Sequence, residues 1–157
     1  MEEIVGATLI SATITDVVVR ESLFIRKIVD GEIERERINL DPLLSSGLLT
    51  VVQADNDNEL NAFIDLAIEL GDGEAMSAAL AMSREWILVT DDRKAERLLH
   101  GQVQLRPTLA IVKEWAETNR ISTSELRIAL TGIHQRGYRP AVHHPLGEWW
   151  ESIMSDA

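Results

Sequence analysis

An α/β fold built on a parallel sheet is predicted for this chain, from the alternation of two kinds of segment. Short apolar runs of strand length, residues 48–52 and 86–90, are separated by longer stretches whose apolar residues recur every three or four positions. The run Trp86-Ile87-Leu88-Val89-Thr90 is continuously apolar between polar neighbours, the pattern of a strand covered on both faces. The segment before it, residues 73–84, carries Ala75, Ala78, Ala79 and Ala81, so a helix there is thin enough to lie close against a sheet.

In chain order, residues 7–11 (ATLIS) are a predicted first strand. Thr15 or Asp16 then caps a predicted helix whose face is Val18, Val19, Leu23, Ile25 and Ile28, ended by Asp30-Gly31. Residues 32–37, EIERER, read as a solvated excursion. Asp41-Pro42 starts a short helix to Ser46, and residues 48–52 form the next strand. The run DNDNE caps a helix in which Leu60, Phe63, Ile64, Ala67 and Ile68 are predicted to face the sheet. Gly71 is read as a left-handed helix end and Asp72 as the cap of the alanine-rich helix. Residues 103–105 are a short strand, and Pro107 opens a helix to about Asn119. Ser122 and Glu125 form a capping box before a helix with Leu126, Ile128, Ala129, Leu130 and Ile133 inward, closed by Gly137. Residues 138–145 read as extended. A last helix over 148–154 carries Trp149 and Trp150, whose first reading is packing of that helix and whose second is a contact patch.

The 157 residues suffice for one domain with a sizeable core. The chain has no cysteine, which excludes disulfides, thiolate zinc sites and cysteine nucleophiles and suits a reducing compartment. No positively charged leader and no run of roughly 20 apolar residues is present, so a soluble cytoplasmic protein without membrane contact is expected. A net charge of -11 argues against a general nucleic-acid coat. It leaves room for a nuclease, because acids gathered around a cation make a local positive site, with Arg84, Arg93, Lys94, Arg97 and Arg106 near enough in sequence to reach a substrate backbone.

The chemistry is concentrated between residues 70 and 99. Glu74 falls in the first turn of the alanine-rich helix, and Asp91 and Asp92 follow the carboxyl end of the next strand. That is the edge of an α/β sheet where ligands bind. Asp72, Asp91 and Asp92 can serve only as caps, with Glu74 an ordinary first-turn acid. Alternatively these carboxylates make a divalent-metal site.

The stretch GDGEAMSAALA followed by ILVTDDRKAERLL resembles the PIN-domain nucleases, in which an acid opens an alanine-rich helix and a T-x-D segment ends the next strand. It is most similar to small prokaryotic PIN proteins with a GEA helix and a DDR turn, a group that includes VapC-type toxin ribonucleases. The segment ITDVVVRE resembles the PIN turn that starts the helix bearing a second metal acid. The likeness is strongest over residues 71–97, extends to 13–21 and takes in the C-terminal helices.

The resemblance implies one PIN-like domain over residues 1–157, an α/β/α sandwich with extra C-terminal helices, and hydrolysis of RNA phosphodiesters with Mg²⁺ or Mn²⁺. It implies Glu21, Glu74 and Asp92 as catalytic metal ligands, Asp91 beside them holding a metal-bound water, and Thr90 and Arg93 on the substrate side, Arg93 as a phosphate contact. RNA, an antitoxin-like protein and further copies of the chain are the implied partners. The family's opening strand, which ends in an aspartate, has no counterpart. MEEIVGATLIS aligns after it, so the chain is expected to be shortened at its N-terminus, a reading preferred over Asp16 as the replacement acid. Two unpaired strand edges would result. The rival function is a catalytically impaired PIN-like protein that acts through association. A histidine-based metal enzyme using His134, His143 and His144 is disfavoured, since adjacent residues of an extended segment point apart and no H-E-x-x-H spacing is present.

Overall fold

A computed structural model describes residues 12–21, 24–29 and 32–155. The predicted strand at residues 7–11 lies outside them. The first described strand, β1 (Ala12–Thr15), leads directly into α1 (Asp16–Arg20), and the Thr15 hydroxyl caps that helix by accepting from Val18 N–H at 3.3 Å. The helix then stops. The predicted continuation to Asp30 is corrected: β2 (Phe24–Val29) pairs antiparallel with β3 (Glu32–Arg37), with Lys27 opposite Glu34 and Ile28 opposite Ile33. Phe24, Ile25, Ile28 and Val29 are aromatic or β-branched and favour a strand. EIERER is its hairpin partner rather than an excursion.

After α2 (Asp41–Ser45), β4 (Leu49–Val52) pairs parallel with β1, Ala12 opposite Leu49 and Thr15 opposite Val52. Asn56 caps α3 (Asp57–Ala67), its side chain accepting from Glu59 N–H at 3.0 Å. Next come α4 (Asp72–Ser83), β5 (Ile87–Val89), α5 (Arg93–Leu99) and β6 (Gln104–Arg106), with β5 and β6 parallel. Three helices close the chain: α6 (Thr108–Thr118), α7 (Thr123–Gln135) and α8 (Gly147–Ser155). The fold is thus mixed α/β with short parallel strands. Among the described residues, the parallel strands form two separate pairs, β1-β4 and β5-β6.

What the two pairs share is α4, which packs against β1, β5, α1 and α3. Its alanines explain this position: Ala75, Ala78 and Ala79 are fully buried and let neighbouring backbones approach on several sides. Ala75 and Ala78 form one core with Leu70, Ala81, Leu88, Ala95 and Leu99. A second core, from Leu109, Val112, Trp115, Ala116, Leu126, Leu130 and Trp150, joins the three C-terminal helices. Both tryptophans of the last helix pack on this core, Trp150 within it and Trp149 at its side.

Local expectations are corrected elsewhere. Gly71 has φ -66°, so it is the N-cap of α4 and not a left-handed stop, and Asp72 lies inside the helix. In β5 only Leu88 is buried; Ile87 and Val89 are 40% and 46% exposed, so one face of this strand is open. On α3, Phe63, Leu66 and Ala67 pack inward whereas Leu60, Ile64 and Ile68 point out. Ile128 also points out, and of the segment 138–145 residues 138–141 have no regular structure, with turns following at 142–143 and 145–146. No helix among the described residues is long and apolar enough to cross a membrane.

Candidate functional site

The amino end of α4 carries Glu74 in its first turn and receives Glu21. Glu21 is the C-cap of α1, and its Oε1 accepts from Gly73 N–H at 2.8 Å. A helix's first amides have no partner inside the helix and carry partial positive charge, so a carboxylate is well placed there. Only glycine permits the approach. A Cβ at position 73 would stand 2.5 Å from Glu21 Oε2 and 2.8 Å from the Val18 Cγ2 methyl, both closer than real contacts.

Glu74 is the next residue, and its Oε1 accepts from the Thr90 hydroxyl at 3.0 Å. Thr90 follows β5 and extends the ladder, donating its N–H to Arg106 O at 3.1 Å. The same hydroxyl accepts from Asp92 N–H at 3.1 Å. Asp92 in turn caps α5, Oδ1 accepting from Lys94 N–H at 2.6 Å and Ala95 N–H at 3.0 Å. One run of contacts therefore links Glu21 to Gly73 and, from the adjoining Glu74, passes through Thr90 to Asp92. The sequence pattern contains the acids of this run; Gly73, whose amide receives Glu21, has no signal beyond the spacing G-E.

Asp91 points elsewhere. Its Oδ1 accepts from Thr108 N–H at the start of α6 at 3.1 Å and from the Tyr138 hydroxyl at a long 3.5 Å, with His144 Nε2 at 3.9 Å. Burial, followed by the nearby Asp91 charge and hydrogen bond, raises the Tyr138 pKa well above the usual phenol value. His144 Nδ1 accepts from Leu146 N–H at 3.0 Å, and its buried Nε2 has no hydrogen-bond partner among the described residues. None of these partners of Asp91 is legible locally, since they are 17 to 53 residues away.

The cations separate into two groups. Arg84 is bound to Glu59 through Nε at 2.6 Å and Nη2 at 2.9 Å and stacks over Trp86. Lys94 pairs with Glu69 at 3.0 Å and Arg106 with Glu114 at 2.5 Å. Arg93 and Arg97, on α5 beside Asp92, are exposed and ion-pair with no acid among the described residues. Asp16 is occupied by Arg20 at 2.5 Å.

Glu21, Glu74 and Asp92 each keep one carboxylate oxygen without a hydrogen-bond partner among the described residues, a hard-oxygen donor set of the kind that Mg²⁺ or Mn²⁺ accepts. Among the described residues, however, no three acids or histidines stand close enough together to enclose an ion. The chemistry of the donors suits a divalent cation, and their present spacing does not form its cage. This chain matches no protein-family model, no curated protein and no solved structure.

Proposed function

We propose that the protein is a divalent-metal-dependent ribonuclease that hydrolyses RNA phosphodiesters, with the toxin-like character of the small PIN proteins. The run of contacts from Glu21 to Gly73 and from Glu74 through Thr90 to Asp92 carries this reading. It sets Glu21 and Glu74 at the amino end of α4 and ties them through Thr90 to Asp92 at the amino end of α5, beside two parallel strand pairs. In this reading Glu21, Glu74 and Asp92 turn their free oxygens toward Mg²⁺ or Mn²⁺. Such an ion, when bound, activates water and neutralises charge on the leaving oxygen. Thr90 fixes the Glu74 carboxylate, and Arg93, which pairs with no acid among the described residues, receives a phosphate of the RNA backbone. Asp91, with Oδ1 engaged by Thr108 and Tyr138, is assigned to holding the C-terminal helices rather than a metal-bound water. A cysteine-free chain suits work in the reducing cytoplasm.

The test is cleavage of a mixed-sequence single-stranded RNA with Mn²⁺ or Mg²⁺, by the chain and by Glu74→Gln and Asp92→Asn. Metal-dependent cleavage that falls at least about a hundredfold in both variants supports the reading. A chain that leaves RNA intact with either metal, or variants as active as the parent, overturns it. Failure would favour a PIN-like protein that acts by association. The observation on that side is the apolar surface left open on α3 and β5.

A further inference from the structure

We propose that the outward face of α3 is a docking site for a basic amphipathic helix of a partner protein. Leu60, Ile64 and Ile68 follow one another at four-residue spacing and are 43%, 60% and 78% exposed. Residues so spaced make a continuous apolar ridge on a helix. The opposite side of α3 is already committed: Phe63, Leu66 and Ala67 join the core and Glu59 lies buried against Arg84. The ridge is therefore what remains after the helix has satisfied its own fold.

The charge around the ridge chooses the occupant. From Gln53 to Ser83 the sequence has seven acids and no lysine, arginine or histidine. Asp57 and Asp65 border the ridge, are exposed, and ion-pair with no cation among the described residues. Glu69, at the far end, already holds Lys94. A ligand that covers Leu60, Ile64 and Ile68 must bring lysine or arginine to these carboxylates, because a like charge there is repelled as the face is desolvated. RNA is thereby excluded from this face. A second copy fits poorly, since a two-fold contact of α3 with α3 sets acidic borders against acidic borders. A helix is the natural complement, its own apolar residues at three- and four-residue spacing meshing with the ridge and its cations at the flanks. The proposal is independent of nuclease activity.

The probe is a short synthetic helical peptide with leucines along one stripe and lysines beside it. The control is a peptide of the same composition scrambled so that no stripe forms. Binding to the full chain is followed by fluorescence anisotropy at physiological salt. The stripe peptide is expected to bind at least about tenfold more tightly than the scramble and to lose about tenfold or more with Ile64→Asn plus Ile68→Asn. Asp57→Asn plus Asp65→Asn should weaken it and flatten its salt dependence. Ile128→Asn, on the exposed face of α7, should change nothing. Because the substituted isoleucines are exposed, unchanged thermal unfolding of the variants verifies their folding. Equal binding of the scramble, or no effect of the isoleucine changes, overturns the proposal. So does a dimer by sedimentation that Ile64→Asn plus Ile68→Asn converts to monomer, since the occupant would then be a second copy.

Discussion

Gly73 and Glu59 show how single residues decide this structure. Alanine favours a helix over glycine by up to about 1 kcal/mol, so Gly73→Ala would stabilise an isolated α4. In the folded chain the new methyl must displace the Glu21 carboxylate and press on Val18, and the charge-assisted bond to the position-73 amide is lost. We expect a net loss of roughly 1 kcal/mol, read as a lower urea midpoint at unchanged slope. A raised midpoint would show that the Glu21 contact contributes nothing. Glu59 is the one fully buried acid of the described residues. The Arg84 hydrogen bond, against the opposing effect of burial and with help from Asp55 N–H at 2.9 Å, lowers its pKa from 4.5 to about 2. The pKa is depressed on folding, so the stabilisation is complete above pH about 4.5 and is lost as the pH falls through about 2. Glu59→Gln should therefore cost on the order of 3 kcal/mol at neutral pH, with the gap to the parent closing as the pH approaches 2. Parallel urea titrations of the two proteins across that window measure it.

At the level of elements, local sequence chemistry acts where a helix end is exposed. Ser122 Oγ accepts from Glu125 N–H at 3.3 Å, and Glu125 Oε2 accepts from Ser122 N–H at 3.1 Å, completing the box at the start of α7. Ser122→Ala should lower the melting temperature by a few degrees without changing the far-ultraviolet spectrum of the folded state. An unchanged melting temperature would mean that α7 is held entirely by its core residues Leu126 and Leu130. Caps of this kind are legible because donor and acceptor are three residues apart: Thr15, Asn56, Asp92 and Ser122 all act within their own turn. Facing is not legible in the same way. Five apolar residues at helical spacing on α3 span more surface than one contact covers. The helix turns Phe63 and Ala67 inward and, with the Glu59–Arg84 pair beneath it, leaves Leu60, Ile64 and Ile68 outside. Between residues 24 and 37, pairing with a second strand outweighs a loose helical periodicity.

For the whole molecule, the junction between the two cores is the feature to test. Asp91, at the end of β5, meets Thr108 of α6 and Tyr138 beyond α7, and Arg106 of β6 meets Glu114 of α6. Tyr138 is the only tyrosine in the chain, so alkaline difference absorbance reports it directly. It should titrate well above the ordinary value of about 10. Asp91→Asn should bring it part of the way down, because burial acts more strongly on it than the Asp91 charge. The phenol's pKa is raised on folding, so its stabilising effect holds up to the ordinary phenol value and is lost as the pH climbs through the folded one. A titration that Asp91→Asn leaves in place would dissolve the proposed tie between β5 and the C-terminal helices. The sequence by itself determined the α/β class, the side-chain caps at Thr15, Asn56, Asp92 and Ser122, the alanine helix and the acids around residues 74 and 92. Each depends on residues a turn or a strand apart, whose propensities and short hydrogen bonds survive without the rest of the chain. Only the tertiary structure decided that Glu21 reaches Gly73, that Asp91 turns to Thr108 and Tyr138, that Arg84 is taken up by Glu59, and which side of α3 meets solvent. These partners lie 17 to 52 residues apart, and the packing of α4 against its neighbours, rather than any local pattern, sets which side chains meet.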